Sequence, residues 1–177
     1  MINQQFIRTH SLYVALYDQS SPTNHQGFMA AELGAAREAA KRSGQENLCL
    51  FHFNESLTRH VAAGQMLAWT LLFDGVFTFE IRVEPGRCGA SAMNPQASEP
   101  LPCSAVLQCP SGRLVVSCLS EMGKPVPIAI DVDPGEYRAT LGRNEAAEFD
   151  HALLESVEGY EASSGPDWSI LLQRVGM

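Results

Sequence analysis

The side chains able to do chemistry are few and widely spaced in this sequence. Histidines stand at His10, His25, His52, His60 and His151, and cysteines at Cys49, Cys88, Cys103, Cys109 and Cys118. There is no CxxC pair, HExxH helix or GxSxG elbow, so zinc-finger, metalloprotease and serine-hydrolase chemistry have no local signature. Neither GxGxxG nor GxxxxGK followed by Ser or Thr occurs, which removes the loops that cradle nucleotide phosphates. Glu80 and Asp131 each point outward from an expected strand and would need to face one another across a groove to act as glycosidase carboxylates. On half-exposed strands such groups ordinarily form the wet face.

The densest group is His52, Arg59 and His60, which defines one candidate site: a small-ligand pocket or divergent enzyme site with converging polar groups. His52-Phe53-Asn54-Glu55 is similar to the metal segment of cupins. That chemistry needs two histidines separated by one residue and another on a later strand, and no His follows between Ser104 and Leu141. No catalytic residue, cofactor or metal is therefore expected. Cys49 and Cys118 fall in apolar alternating runs and read as small core residues. Cys103 and Cys109 flank a strand and could be exposed, but no basic neighbour is there to lower a thiol pKa.

The elements that must position these groups are mostly strands. Ser11 to Tyr17 alternates Leu12, Val14 and Leu16 with Tyr13, Ala15 and Tyr17, apolar on both faces as in a central strand. Asp18 to Asn24 is turn chemistry. Met29 to Arg42 is rich in helix formers, with Met29, Leu33, Ala36 and Ala40 on one face. Leu48 to Phe53 reads as a strand with Cys49, Phe51 and Phe53 on one side, and Glu55 to Trp69 fits neither period. Val76 to Val83 alternates cleanly after an Asp74-Gly75 hairpin turn. Glu84 to Pro102 reads as a long loop. Four short strands follow, Ser104 to Gln108, Arg113 to Leu119, Val126 to Val132 and Glu136 to Leu141, with Pro- and Gly-containing turns between them. A helix is expected from an Asn144 N-cap to Gly159, and a last strand over Trp168 to Val175.

These elements predict a mainly β chain: an antiparallel β-sandwich, jelly-roll-like, with one or two short helices, forming a single domain over residues 1–177. A chain of 177 residues that is 45% hydrophobic and 18% charged has the composition of an ordinary globular domain. Met1 to Arg8 lacks the pattern of a secretory signal, and Val61 to Val83 is too interrupted by polar residues to span a membrane, so a cytoplasmic location is expected.

A formal net charge of -8 disfavours nucleic acid and anionic membranes as partners. The negative charge is concentrated from Glu145 to Asp167, where Glu145, Glu148, Asp150, Glu155, Glu158 and Glu161 lie without an intervening Lys or Arg. Such a segment could enter a basic cleft, and these six carboxylates are the candidate partner-binding residues.

Pro102 to Leu107, Gly112 to Ser117, Pro127 to Val132 and Pro134-Gly135-Glu136-Tyr137-Arg138, followed by an acidic insert and Asp167-Trp168-Ser169-Ile170, resemble the small bacterial β-sandwich proteins of the competence protein J, or DNA-entry nuclease inhibitor, family. Asn24-His25-Gln26-Gly27-Phe28 matches that family's Gln-Gly-Phe stretch in order. The resemblance implies a non-enzymatic protein that binds a basic nuclease, or an immunity protein that neutralises a toxin. A structural or homo-oligomerising subunit, pairing through exposed strand edges, is the third reading.

Overall fold

A computed structural model describes residues 2–9, 13–71, 75–84, 101–124, 128–143 and 168–176. In chain order these form β1 (Ile2–Thr9), β2 (Tyr13–Asp18), α1 (Phe28–Arg42), a 3₁₀ turn (Glu46–Leu48), α2 (Cys49–Ala62), β3 (Met66–Thr70) and β4 (Gly75–Glu84). They continue with β5 (Ser104–Cys109), β6 (Arg113–Cys118), a second 3₁₀ turn (Leu119–Glu121), β7 (Ile128–Asp131), β8 (Gly135–Arg143) and β9 (Trp168–Arg174). The strands make a five-stranded sheet, β1-β4-β9-β8-β5, and a four-stranded sheet, β3-β2-β6-β7.

The fold is mainly β, as the alternation predicts, but its strand pairing departs from the expected antiparallel sandwich. β9 runs parallel to β4 while pairing antiparallel with β8, so the sandwich is not antiparallel throughout. β1, which pairs with β4 from Ile2 opposite Arg82 to Thr9 opposite Gly75, was not expected.

β2 shows how the layers arise from sequence. Its period of two sends Val14 and Leu16 into the core between the sheets, where they join Phe77, Phe79, Leu107, Ile130 and Ile170. Ala15 and Tyr17 point the other way and pack with Phe53, Leu57 and Val61 of α2. A strand apolar on both faces thus has a sheet on one side and helices on the other, giving three layers. Across the first core, Trp69 meets Phe79 and Trp168 at ring-centroid distances of 5.9 and 6.5 Å.

α1 is the expected helix beginning one residue earlier, and buries Phe28, Ala36 and Ala40. Lys41 and Arg42 in its last turn complement the helix dipole. The expectation of a strand over Leu48 to Phe53 is wrong, because those residues form the 3₁₀ turn and the start of α2. Phe53, Leu57 and Val61 recur every fourth residue and are buried with Ser56 on one helical face, leaving Phe51 outside. Full burial of Phe53 and Leu57 contributes roughly 1.5–3 kcal/mol each.

The helix stops at Gly64, whose φ of +69° suits glycine. Its carbonyl accepts the Gln108 N–H at 3.0 Å, and an added Cβ would lie 2.8 Å from the Val106 carbonyl oxygen. The α2–β3 turn is therefore pressed onto the edge strand β5. No helix among the described residues is long and apolar enough to cross a membrane.

Candidate functional site

The six acidic residues Glu145, Glu148, Asp150, Glu155, Glu158 and Glu161, with the helix expected around them, lie outside the described residues, as do residues 85–100 of the expected long loop and Asp74. The chemistry available for description centres on α2.

One face of α2 looks away from the core. Leu50 and Phe51 are 60% and 55% exposed, and Phe51, Asn54, Glu55, Thr58 and Arg59 border a cavity of about 620 Å³. These positions follow helical spacing, so one turn after another contributes to the same wall. Below the wall, the Tyr13 ring meets Phe53 edge-on at 5.0 Å, and the Tyr13 hydroxyl donates to Asn54 Oδ1 at 3.1 Å. This bond fixes the amide and leaves its NH₂ group without a partner among the described residues. Thr58 Oγ1 donates to the Asn54 carbonyl at 2.9 Å. Glu55 Oε2 lies 3.0 Å from His52 Nδ1, while the Arg59 guanidinium has no partner among the described residues.

His52 and His60 do not converge. His52 sits on α2 rather than at a strand end, its ring against Phe51 at 5.6 Å, and its Nε2 is buried without a hydrogen-bond partner. His60 belongs to a different cluster: Nδ1 lies 2.7 Å from Gln65 Oε1, and Nε2 lies 3.3 Å from Glu32 Oε1 on α1. The Ser56 hydroxyl donates to the other Glu32 oxygen. Glu32 thus stands between Ser56 and His60, whereas nucleophilic catalysis requires the serine proton to pass to the imidazole. The cluster ties α1 to α2.

A second polar cluster anchors β2. Asp18 is buried, and its carboxylate accepts the Ser20 N–H and hydroxyl at 2.8 and 2.5 Å and the Ser111 hydroxyl and N–H at 2.6 and 3.2 Å. The Cys109 thiol also donates to it at 3.1 Å. Burial pushes the Asp18 carboxyl up, but the bonds from Ser111, Ser20 and Cys109 outweigh it and hold the group below the ordinary aspartate value. Cys109 goes the opposite way: burial, then the bond to Asp18 and its charge, push the thiol up to about 12. The expectation that Cys109 could be exposed is thereby corrected. Cys103 is half-buried just before β5 and Cys109 closes that strand, so an extended run of roughly 20 Å separates them. Cys118 is buried as expected, and Cys49 is half-buried.

Glu80 and Asp131 are also separated, on β4 and β7 of different sheets. Glu80 bonds Arg82 at 2.9 Å on its own strand, and Asp131 lies 4.0 Å from Arg113. Among the described residues, no group of three or more His, Cys, Asp or Glu side chains is gathered for a metal.

Sequence reasoning singled out His52, Arg59 and His60 but missed Asn54, Thr58 and Phe51 as a shared wall. The signal was present as the i, i+3, i+4, i+7 spacing of 51, 54, 55 and 58, hidden by reading Leu48 to Phe53 as a strand and by the mixed period from Glu55 onward. Glu32 carried no such signal, since its partners lie on another element.

Fold and site together define a class: a two-sheet β-sandwich whose smaller sheet is backed by a helix pair, the second helix carrying an open cavity. A solved structure named "Crocagin biosynthetic gene J" is similar to the chain at a TM-score of 0.65 with 20% identical residues, covering 99% of this chain and 98% of that one. The likeness is one of fold. No family model matches the chain. None of the curated proteins matches it either. The resemblance to the competence protein J family is therefore corrected: the chain matches no model of that family and no curated member of it, and the similar structure bears another name.

Proposed function

We propose that this chain is a cytoplasmic, non-catalytic binding protein that holds a small ligand against the outer face of α2. The cavity bordered by Phe51, Asn54, Glu55, Thr58 and Arg59 carries this reading. Its volume of about 620 Å³ falls in the range of small-molecule sites, and its wall combines one aromatic ring with a few polar groups. The absence of turnover is supported by how the other reactive groups are used: Ser56 and His60 are spent on Glu32, and Cys109 is held as a buried thiol. The name of the structural neighbour belongs to biosynthesis; the role we assign to this chain is to hold a compound rather than convert it.

The test is ligand-observed NMR with a fragment mixture. Hits are expected with the wild-type chain and are lost in Thr58→Trp, which fills the cavity from a half-buried position. Hits that persist in that variant place binding elsewhere and sink the proposal.

A second reading, a protein-binding module, is favoured by the adjacent exposed Leu50 and Phe51, an apolar anchor beside a polar rim. With a net charge of -8, its partner would be basic. Under this reading, Leu50→Ser with Phe51→Ser abolishes capture of a basic protein while Thr58→Trp and the fragments are irrelevant.

A further inference from the structure

We infer that the ligand of the α2 cavity is a small carboxylate with an apolar body, recognised by Arg59 and Asn54. The inference rests on the small-ligand reading above and names the chemistry that the site selects.

The wall offers donors with little to receive them. The Arg59 guanidinium carries five N–H donors in a planar fork and has no partner among the described residues. Five residues earlier, Asn54 spends its side-chain carbonyl oxygen on the Tyr13 hydroxyl at 3.1 Å, so its NH₂ group is left to donate. Both residues border the same cavity. Both are planar donor groups on the wall of one cavity, and each can donate to a carboxylate oxygen. Charge-assisted bonds of this kind are shorter and stronger than neutral ones.

The opposing charge on the wall is Glu55, four residues before Arg59. Helical spacing would let these two side chains pair. Instead Glu55 Oε2 sits 3.0 Å from His52 Nδ1, and the His52 ring is packed against Phe51. His52 thereby draws Glu55 toward the N-terminal end of the wall, so that among the described residues no carboxylate pairs with Arg59. Phe51 supplies an exposed ring for the apolar part of the ligand. Cationic donors at one end of the cavity and an aromatic surface at the other define an amphipathic acid. A metal or a cationic ligand would want the reverse arrangement.

The experiment is isothermal titration of the full chain with 4-phenylbutyrate and, separately, with its primary amide, which has the same shape without the charge. The acid is expected to bind about tenfold more tightly than the amide, and Arg59→Gln to bring the two within about twofold of one another. Glu55→Gln is expected to raise the affinity for the acid by about twofold, since it removes the opposing charge. Equal binding of acid and amide by the wild-type chain, abolished in Thr58→Trp, overturns the carboxylate assignment while the small-ligand reading survives. Binding of neither compound at millimolar concentration overturns both. Arg59 is exposed, so thermal unfolding of Arg59→Gln should match wild type, which separates a lost contact from a lost fold.

Discussion

The Ser111 hydroxyl, in the turn between β5 and β6, donates to Asp18 Oδ2 at the end of β2 across 2.6 Å. The bond joins two strands of the smaller sheet's centre to the edge of the larger one through a single carboxylate. Because that carboxylate also takes Ser20 and Cys109, its removal unpairs the buried Cys109 thiol together with the more exposed donors of Ser20 and Ser111.

Asp18→Ala is expected to cost about 1–3 kcal/mol, the scale of removing a buried, multiply hydrogen-bonded carboxylate whose serine donors can turn to water. Urea denaturation checks it. Ser111→Ala removes one donor and should cost about 1 kcal/mol, and a loss below a few tenths for Asp18→Ala would contradict the anchoring role.

The same group predicts an acid dependence. The folded state holds the Asp18 carboxyl below its ordinary value, so its contribution is complete above the unfolded value near 3.9 and disappears as pH falls through the folded one. Stability measured between roughly pH 5 and pH 2 should therefore fall more steeply in the wild type than in Asp18→Asn. Parallel curves would rule this out.

The Glu32 carboxylate couples the two helices through Ser56 and His60. Glu32→Ala and His60→Ala are each expected to cost about 1–2 kcal/mol, with a double-mutant coupling of about 0.5–1 kcal/mol. A coupling of zero would show that the 3.3 Å contact between them contributes nothing.

Gly123 has a φ of +79°, and a Cβ there would sit 2.2 Å from the Gln26 nitrogen and 2.5 Å from the His25 carbonyl carbon. Its N–H donates to Asn24 Oδ1 at 2.9 Å. Backbone cannot withdraw as a flexible side chain does, so Gly123→Ala should destabilise by about 2–4 kcal/mol and lower the melting temperature accordingly. A melting temperature unchanged from wild type would refute the close approach.

Thiol reactivity should separate the cysteines by burial and pKa. In a brief iodoacetamide pulse on the native chain, followed by mass spectrometry, Cys103 and Cys49 are expected to be alkylated well before Cys109 and Cys118. Early labelling of Cys109 would mean that its bond to Asp18 is open in solution.

Most of the strands were legible because their signals are local. β2, β4 and the run from β5 to β8 combine period-two alternation with Gly and Pro turns, and each was found within a residue or two. α2 was misread at its start because Cys49, Phe51 and Phe53 imitate a strand over a short window. The deciding residues, Leu57 and Val61, lie one and two turns further on. β1 has no alternation to betray it: Asn3, Gln4 and Gln5 interrupt its apolar residues, and it exists by pairing with β4. The parallel join of β4 to β9 is a property of topology, which single-strand patterns do not encode. At the site, His52 and Arg59 were visible as residue types, but the wall they share emerged only once the segment was known to be helical.

β9 lies between β4 and β8, so the larger sheet has no centre until the last of the strands is in place. On a ribosome, synthesis of everything before Trp168 yields two separate pairs, β1 with β4 and β5 with β8, each presenting an unfilled strand edge. The smaller sheet and its helices are complete by β7 and can consolidate while those edges wait. Substitutions at Ile170 or Leu172 should thus reduce the yield of properly folded chain in cells, through aggregation of the waiting pairs, beyond what their effect on the finished protein would suggest.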